Sequence, residues 1–302
     1  MMHAIQVEDL TKVYANDTLA LEKVNLTINA GDFFALLGAN GAGKTTMIGI
    51  ITGIVMKTKG KVHIFQYDID RNFAEARKMI GVVPQEFNFN IFEKAQDILI
   101  TQAGYFGIDR SEAIKRSEVV LKQLGLWEKR NEVSRNLSGG MKRRLMISRA
   151  LVHNPKLLIL DEPTAGVDVE LRHGMWDYLR KLNEQGVTIL LTTHYLEEVE
   201  QMCRYAAIIK NGQIIKHDKV SSLVQLLEME AYEFTVKDMH GLDKIKKYHP
   251  SVRDANVFEV ELHRNNELND FICQVHKVGM EIIDIRPKGY RLEKLFLNIM
   301  RE

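Results

Sequence analysis

An α/β fold is predicted for most of this chain by three observations. The apolar run Phe33–Leu37 reads as a buried strand, and Leu157–Leu160 and Val187–Leu191 read as strands buried on both faces, as in a parallel sheet. Amphipathic stretches of helical period, such as Val169–Glu184, lie between strands. The glycine-rich stretch GANGAGKTT, residues 38–46, follows the first apolar run directly and precedes the helical spacing of Met47, Ile48, Ile50 and Ile51.

Taken in order, Ala4–Val7, Val24–Ile28 and Phe33–Leu37 predict a small antiparallel sheet that leads into the glycine stretch. Ile80–Val83 predicts a further strand. From about Asp97 to Leu124 the period turns helical, with Ile114, Val120, Leu121 and Leu124 among charges. Past residue 218 the pattern changes. Val220–Glu228 predicts a connecting helix within residues 219–230. Residues 231–302 then alternate: strand at Tyr232–Val236, helix at Leu242–Tyr248, strand at Val257–Leu262, helix at Leu268–Val278, strand at Glu281–Ile285 and a last helix from Leu292. That is a small α+β accessory domain with an open antiparallel sheet, for which a ferredoxin-like arrangement is one candidate.

The 302 residues carry 41 basic and 40 acidic side chains, a formal net charge of +1. Such balance argues against bulk electrostatic capture of nucleic acid or anionic lipid. Lys142, Arg143 and Arg144 read as a solvated helix face. Cys203 and Cys273 lack metal-ligand spacing and fit reduced thiols in a cytosolic protein. The start MMHAIQVEDL has no basic and apolar export pattern. No apolar run approaches the ~20 residues needed to span a bilayer, so any channel would be another polypeptide.

The glycine stretch fits G-x-x-x-x-G-K-[ST], with Gly38, Gly43, Lys44 and Thr45 in the defining places. A strand feeding such a turn aims successive N–H groups and a helix N-terminus at one point, which suits a nucleotide's phosphates. Ala39, Asn40, Gly41, Ala42 and Thr46 complete the cradle, Lys44 adds a point charge and the Thr45 hydroxyl can ligate Mg²⁺. Asp161 follows four apolar residues and emerges at a strand's carboxyl end, where α/β sheets bind ligands. It can hold Mg²⁺ with Thr45, whereas Glu162, one residue on, points differently and can deprotonate a water. Either acid alone could equally be a turn or cap residue. Ser138, Gly139 and Gly140 form a second glycine-permitted helix start, again an anion site. Gln85, at the end of GVVPQ, has an amide able to reach both metal and water. Its loop continues with Phe87, Phe89 and Phe92, which either fill a local core or present an apolar patch to a partner.

Together with Tyr14 in TKVYAND, LSGGMKRR at 137–144, LLILDEP at 157–163, AGVD at 165–168 and LLTTH ending in His194, these strings resemble the ATP-binding subunits of ABC transporters over residues 3 to about 218. The resemblance implies a P-loop ATPase with a mixed sheet core, an N-terminal antiparallel subdomain and an inserted helical subdomain at about 86–150. By resemblance, Tyr14 stacks on adenine, His194 meets the γ-phosphate and holds Glu162 and water in line, and Asp168 crosses a dimer interface. Two copies would pair head to tail around two Mg·ATP, each Ser138 turn closing on the partner's nucleotide, at the cytoplasmic face of a membrane carrying a separate permease. Met141 departs from the glutamine common in the family, which implies altered helix packing. QEFNFN, GGMKRRLM and AGVD most resemble bacterial YadG-like ATPases of type-2 exporters, and RLEKLFLNIM resembles an exporter's C-terminal extension. The rivals are an importer ATPase with a regulatory tail and a non-transport ABC protein acting on nucleic acid or ribosomes. Only residues 46–136 separate the glycine loop from LSGG, without sustained heptads, which disfavours the long-coiled-coil class.

Overall fold

The computed structural model describes residues 2–164, 169–225, 229–263 and 267–288, with Leu292, Leu295, Phe296 and Ile299. The chain divides into two compact units, Met1–Lys219 and Val220–Glu302.

The first unit opens with β1 (His3–Val13), β2 (Leu19–Asn29), β3 (Phe33–Leu37) and α1 (Lys44–Ile51). It continues with β4 (Lys59–Ile64), β5 (Tyr67–Asp68), α2 (Phe73–Lys78), β6 (Ile80–Val83), α3 (Ala95–Tyr105), α4 (Arg110–Gln123) and α5 (Gly139–Leu151). It closes with β7 (Leu157–Asp161), α6 (Val169–Glu184), β8 (Thr188–Thr192), α7 (Leu196–Met202), β9 (Tyr205–Lys210) and β10 (Gln213–Lys219).

An antiparallel sheet runs β2-β1-β4-β5, and a mixed sheet runs β10-β9-β3-β8-β7-β6. Within the mixed sheet only β10 pairs antiparallel, against β9. Phe33–Leu37 therefore does not join the antiparallel sheet as the sequence suggests. All five of its residues are buried, because β8 and β9 flank it and both of its faces are covered. The antiparallel sheet takes β4 instead, whose Val62 and Ile64 enter the same core as Ile5 and Val7. The helical stretch is two helices, since the chain leaves α3 through Gly107 at a φ of 75°.

In the second unit come α8 (Val220–Gln225), β11 (Met229–Val236), β12 (Ser251–Asp254), β13 (Val257–His263), α9 (Glu267–Lys277) and β14 (Ile282–Pro287). The antiparallel sheet order β12-β13-β11-β14 is the ferredoxin-like order. The first crossover, Leu242–Tyr248, is a 3₁₀ turn broken at Ile245 rather than an α-helix. Phe271 of α9 sits edge-on to Phe234 and Phe258, with ring centroids 5.0 and 6.2 Å away, and closes one face of the sheet. The last part of the expected connecting helix and most of the helix expected from Leu292 lie outside the described residues.

Just past α5, His153 stacks flat on Phe106 with centroids 3.7 Å apart, and its Nε2–H donates to the Ile80 carbonyl at 3.0 Å. Burial pushes its pKa from 6.5 down to about 4. The folded state thus favours neutral imidazole while the unfolded chain takes up a proton below about pH 6.5, so stability is lost as pH falls from there toward 4. Between pH 7.5 and 5 this costs about 2 kcal/mol. His153→Phe keeps the stack and removes the titration; denaturant midpoints at the two pH values should differ less in the variant than in the wild type.

Candidate active site

Four strands of the mixed sheet end at one edge, and each delivers a functional residue one or two positions past its last residue. Gly38 follows Leu37, Gln85 follows Val83, Glu162 follows Asp161 and His194 follows Thr192. Parallel pairing keeps those ends level: Leu36 and Asp161 both face Thr192 in register.

The loop between β3 and α1 needs its glycines. Gly43 has a φ of 111°, and a Cβ there would lie 2.7 Å from the Ala20 carbonyl oxygen. A Cβ on Gly38 would lie 2.6 Å from the Ile209 oxygen. Lys44 folds back so that Nζ donates to the carbonyls of Gly38 at 2.7 Å and Ala39 at 3.1 Å. Burial lowers its pKa, and the negative charges of Glu162 and Asp161 oppose that shift. A cleft of about 660 Å³ is lined by Ala20, Asn40, Gly41 and Gly43–Thr46 on one side and by Gln85, Asp161, Glu162 and His194 on the other.

Across the cleft, Asp161 accepts a hydrogen bond from the Thr192 hydroxyl. Glu162 turns into the left-handed region at a φ of 48°, and its N–H donates to the Thr192 carbonyl at 2.9 Å. The turn sends its carboxylate away from that of Asp161. Its Oε2 receives the Gln85 Nε2–H₂ at 3.2 Å and lies 3.2 Å from Nδ1 of His194. A carboxylate oriented by two such neighbours keeps lone pairs for the proton of an attacking water.

Thr45, Gln85 and Asp161 offer a hydroxyl, an amide and a carboxylate to the same cleft, the hard oxygen donors that Mg²⁺ prefers. Among the described residues no group of three or more His, Cys, Asp or Glu side chains is arranged to hold a metal ion by itself. Tyr14, beyond β1, donates to or accepts from the Thr46 hydroxyl at 3.1 Å, with Lys12 Nζ 4.8 Å from its ring centre. The ring thus stands beside the phosphate loop.

Ser138, Gly139 and Gly140 are not in the cleft. Ser138 caps α5, its Oγ accepting from the Met141 N–H at 3.3 Å, and it is exposed. Gly38, Ala39 and Ala42 do not line the cleft either, and Asp168 lies outside the described residues.

Arg143 corrects the expectation of a solvated basic face. It is 3% exposed, and its guanidinium donates to the carbonyls of Pro84 at 2.9 Å and Gln85 at 2.8 Å, so α5 holds the loop that carries Gln85. Arg144 likewise donates to the Leu124 carbonyl at 3.1 Å. The sequence signal for Arg143 is its place one turn before Met146 and Ile147 and two turns before Ala150, on the buried stripe of the helix. In the same loop Phe87 and Phe92 are 45% and 67% exposed, so a local core does not account for them.

A glycine loop feeding a helix, an acidic strand end and a histidine on the neighbouring strand define a P-loop nucleoside triphosphatase. Residues 21–165 match the ABC transporter family. The linearmycin resistance ATP-binding protein LnrL of Bacillus subtilis (strain 168) is 33% identical over 98% of this chain and 97% of its own length. The Nod factor export ATP-binding protein I of Rhizobium etli is 36% identical over 81% of this chain and 77% of its own. The chain belongs to the ABC transporter ATP-binding protein family and is an ATPase. Among solved structures, the dimeric post-hydrolysis cassette MJ0796 bound to ADP and Pi matches with a TM-score of 0.66 and 29% identity, over 72% of this chain and 98% of that one. A structure of an ATP-binding subunit of an ABC transporter matches with a TM-score of 0.68 and 27% identity, over 74% and 92%. No helix among the described residues is long and apolar enough to cross a membrane.

Removing the Arg143 fork leaves two carbonyls without their donor, at about 1–3 kcal/mol each where water cannot reach them. Arg143→Met should therefore lower the unfolding free energy by about 2–4 kcal/mol in denaturant titrations. Arg143→Lys should not restore it, because one ammonium cannot reproduce the planar fork.

Proposed function

We propose that the chain is the ATP-binding and ATP-hydrolysing subunit of an ABC exporter, acting as a head-to-tail pair on a separate membrane permease. The observation that carries the hydrolytic part is the meeting of Gln85 and His194 on one oxygen of Glu162, across the cleft from Lys44 and Thr45. On this reading the N–H groups of residues 38–46 and Lys44 hold the β- and γ-phosphates, and Tyr14 stacks on the base. Thr45, Asp161 and Gln85 would hold Mg²⁺, which neutralises phosphate charge. Glu162 accepts the proton of the attacking water, Gln85 and His194 fix the carboxylate, and His194 also reaches the γ-phosphate.

The placement of Ser138–Gly140 supports the sandwich. Their exposed helix start is an anion site away from the chain's own cleft, so it is free to serve the nucleotide of a second copy. Asp168 would link the two sites. Linearmycin resistance and Nod factor export, after which the two relatives are named, support export over import, and the QEFNFN and GGMKRRLM strings support a YadG-like, type-2 member. Exposed Phe87, Ile91 and Phe92 beside Gln85 offer an apolar contact for the permease, and the subunit would work at the cytoplasmic face of the permease's membrane.

The test uses three forms of the full chain. Glu162→Gln should bind ATP, hydrolyse it at least ~10²-fold more slowly and elute as a dimer only with Mg·ATP. Ser138→Arg should bind ATP yet elute as a monomer. Phosphate release and size-exclusion chromatography read both. Wild-type turnover in Glu162→Gln removes the proposed base, and full activity in Ser138→Arg removes the sandwich.

A further inference from the structure

The fully buried carboxylate of Glu198 has no part in the chemistry described above. It lies on α7, four residues past His194, and is 0% exposed. One oxygen accepts from the hydroxyl of Thr164, two residues past Glu162, and from the indole N–H of Trp176 on α6 at 3.3 Å. The other oxygen has no partner among the described residues. A buried carboxylate with so few donors is costly, and apolar packing at the same place is often neutral or better.

Its placement offers a reason for keeping it. The Glu162–His194 contact joins the ends of two strands, β7 and β8. Before that contact the strands are tied at Thr192, which bonds the Glu162 N–H and Asp161. After it the chains diverge, one toward Thr164 and one into α7, and Glu198 spans that gap. Helix α6 braces the same side, with the Arg172 guanidinium 4.5 Å from the Tyr195 ring, which itself packs 4.0 Å from His194. The pair is thus fastened on both flanks.

We propose that Glu198 is a positioning residue for hydrolysis: through Thr164 and Trp176 it fixes the segment after Glu162 against the helix after His194, and so sets the distance between those two side chains. The proposal rests on the reading of Glu162 as the base. A shift of about 1 Å at a reacting group costs up to ~10²-fold in rate.

Glu198→Leu removes the acceptor, Thr164→Val removes one donor, and Thr164→Ser retains it. Steady-state ATP hydrolysis should show kcat about 10- to 100-fold lower in Glu198→Leu and Thr164→Val, with KM for ATP within about threefold and Thr164→Ser near wild type. In a Glu162→Gln background, where the positioned carboxylate is gone, Thr164→Val should slow the residual rate no further. An equal further loss there would show general structural support and overturn the proposal, as would a wild-type kcat in Thr164→Val. If Glu198→Leu does not fold, Thr164→Val and its serine rescue decide the matter alone. Failure of the base assignment is seen separately, as wild-type turnover in Glu162→Gln itself.

Discussion

The hydrogen bond from the Glu162 N–H to the Thr192 carbonyl fixes the chemistry of this edge of the sheet. Up to Asp161 the chain is regular strand, in register with Thr192. One residue later it turns left-handed at a φ of 48°, a conformation that costs a non-glycine residue of order 1 kcal/mol. That turn separates two adjacent acids by direction. Asp161 stays with the Thr192 hydroxyl, while Glu162 meets Gln85 and His194.

The same edge is balanced electrostatically. Burial lowers the pKa of both Lys44 and Arg143, and for both the charges of Asp161 and Glu162 work against that effect. Each cation has a separate task. Lys44 hydrogen-bonds its own loop from within the cleft, whereas Arg143 spends its fork on the carbonyls of Pro84 and Gln85. The acids therefore stabilise a cation that lines the cleft and another that holds the loop carrying Gln85. A polyphosphate entering this cleft meets donors on the loop side and carboxylates on the other, so a divalent cation between them suits the charge pattern.

Much of this was legible in the sequence because the requirements are local. The glycines of residues 38–43 are dictated by backbone approach and positive φ, and the strand-end places of Gln85, Asp161, Glu162 and His194 follow from apolar runs of the right length. Sheet membership was less legible, because it is set by partners far along the chain. Phe33–Leu37 and Val24–Ile28 lie close together along the chain, yet one pairs with β8 and β9 and the other with β1. For Arg143 the apolar stripe of α5 marks a buried place, but what satisfies a charge there is set by carbonyl partners 58 and 59 residues away. Glu198 escaped notice for the same reason: Thr164 and Trp176 are 34 and 22 residues distant.

One chain carries a phosphate loop with its acids at one place and an exposed Ser138 helix start at another, and the account depends on a second copy bringing the two together. Mixing two inactive proteins tests this most directly. Lys44→Ala spoils only its own loop and Ser138→Arg only the turn it lends to its partner. A mixed pair therefore contains one site with both faults and one site with neither. Each variant alone should be inactive, and the mixture should hydrolyse ATP. A mixture as inactive as its parents, with mixed pairs demonstrably formed, would contradict it.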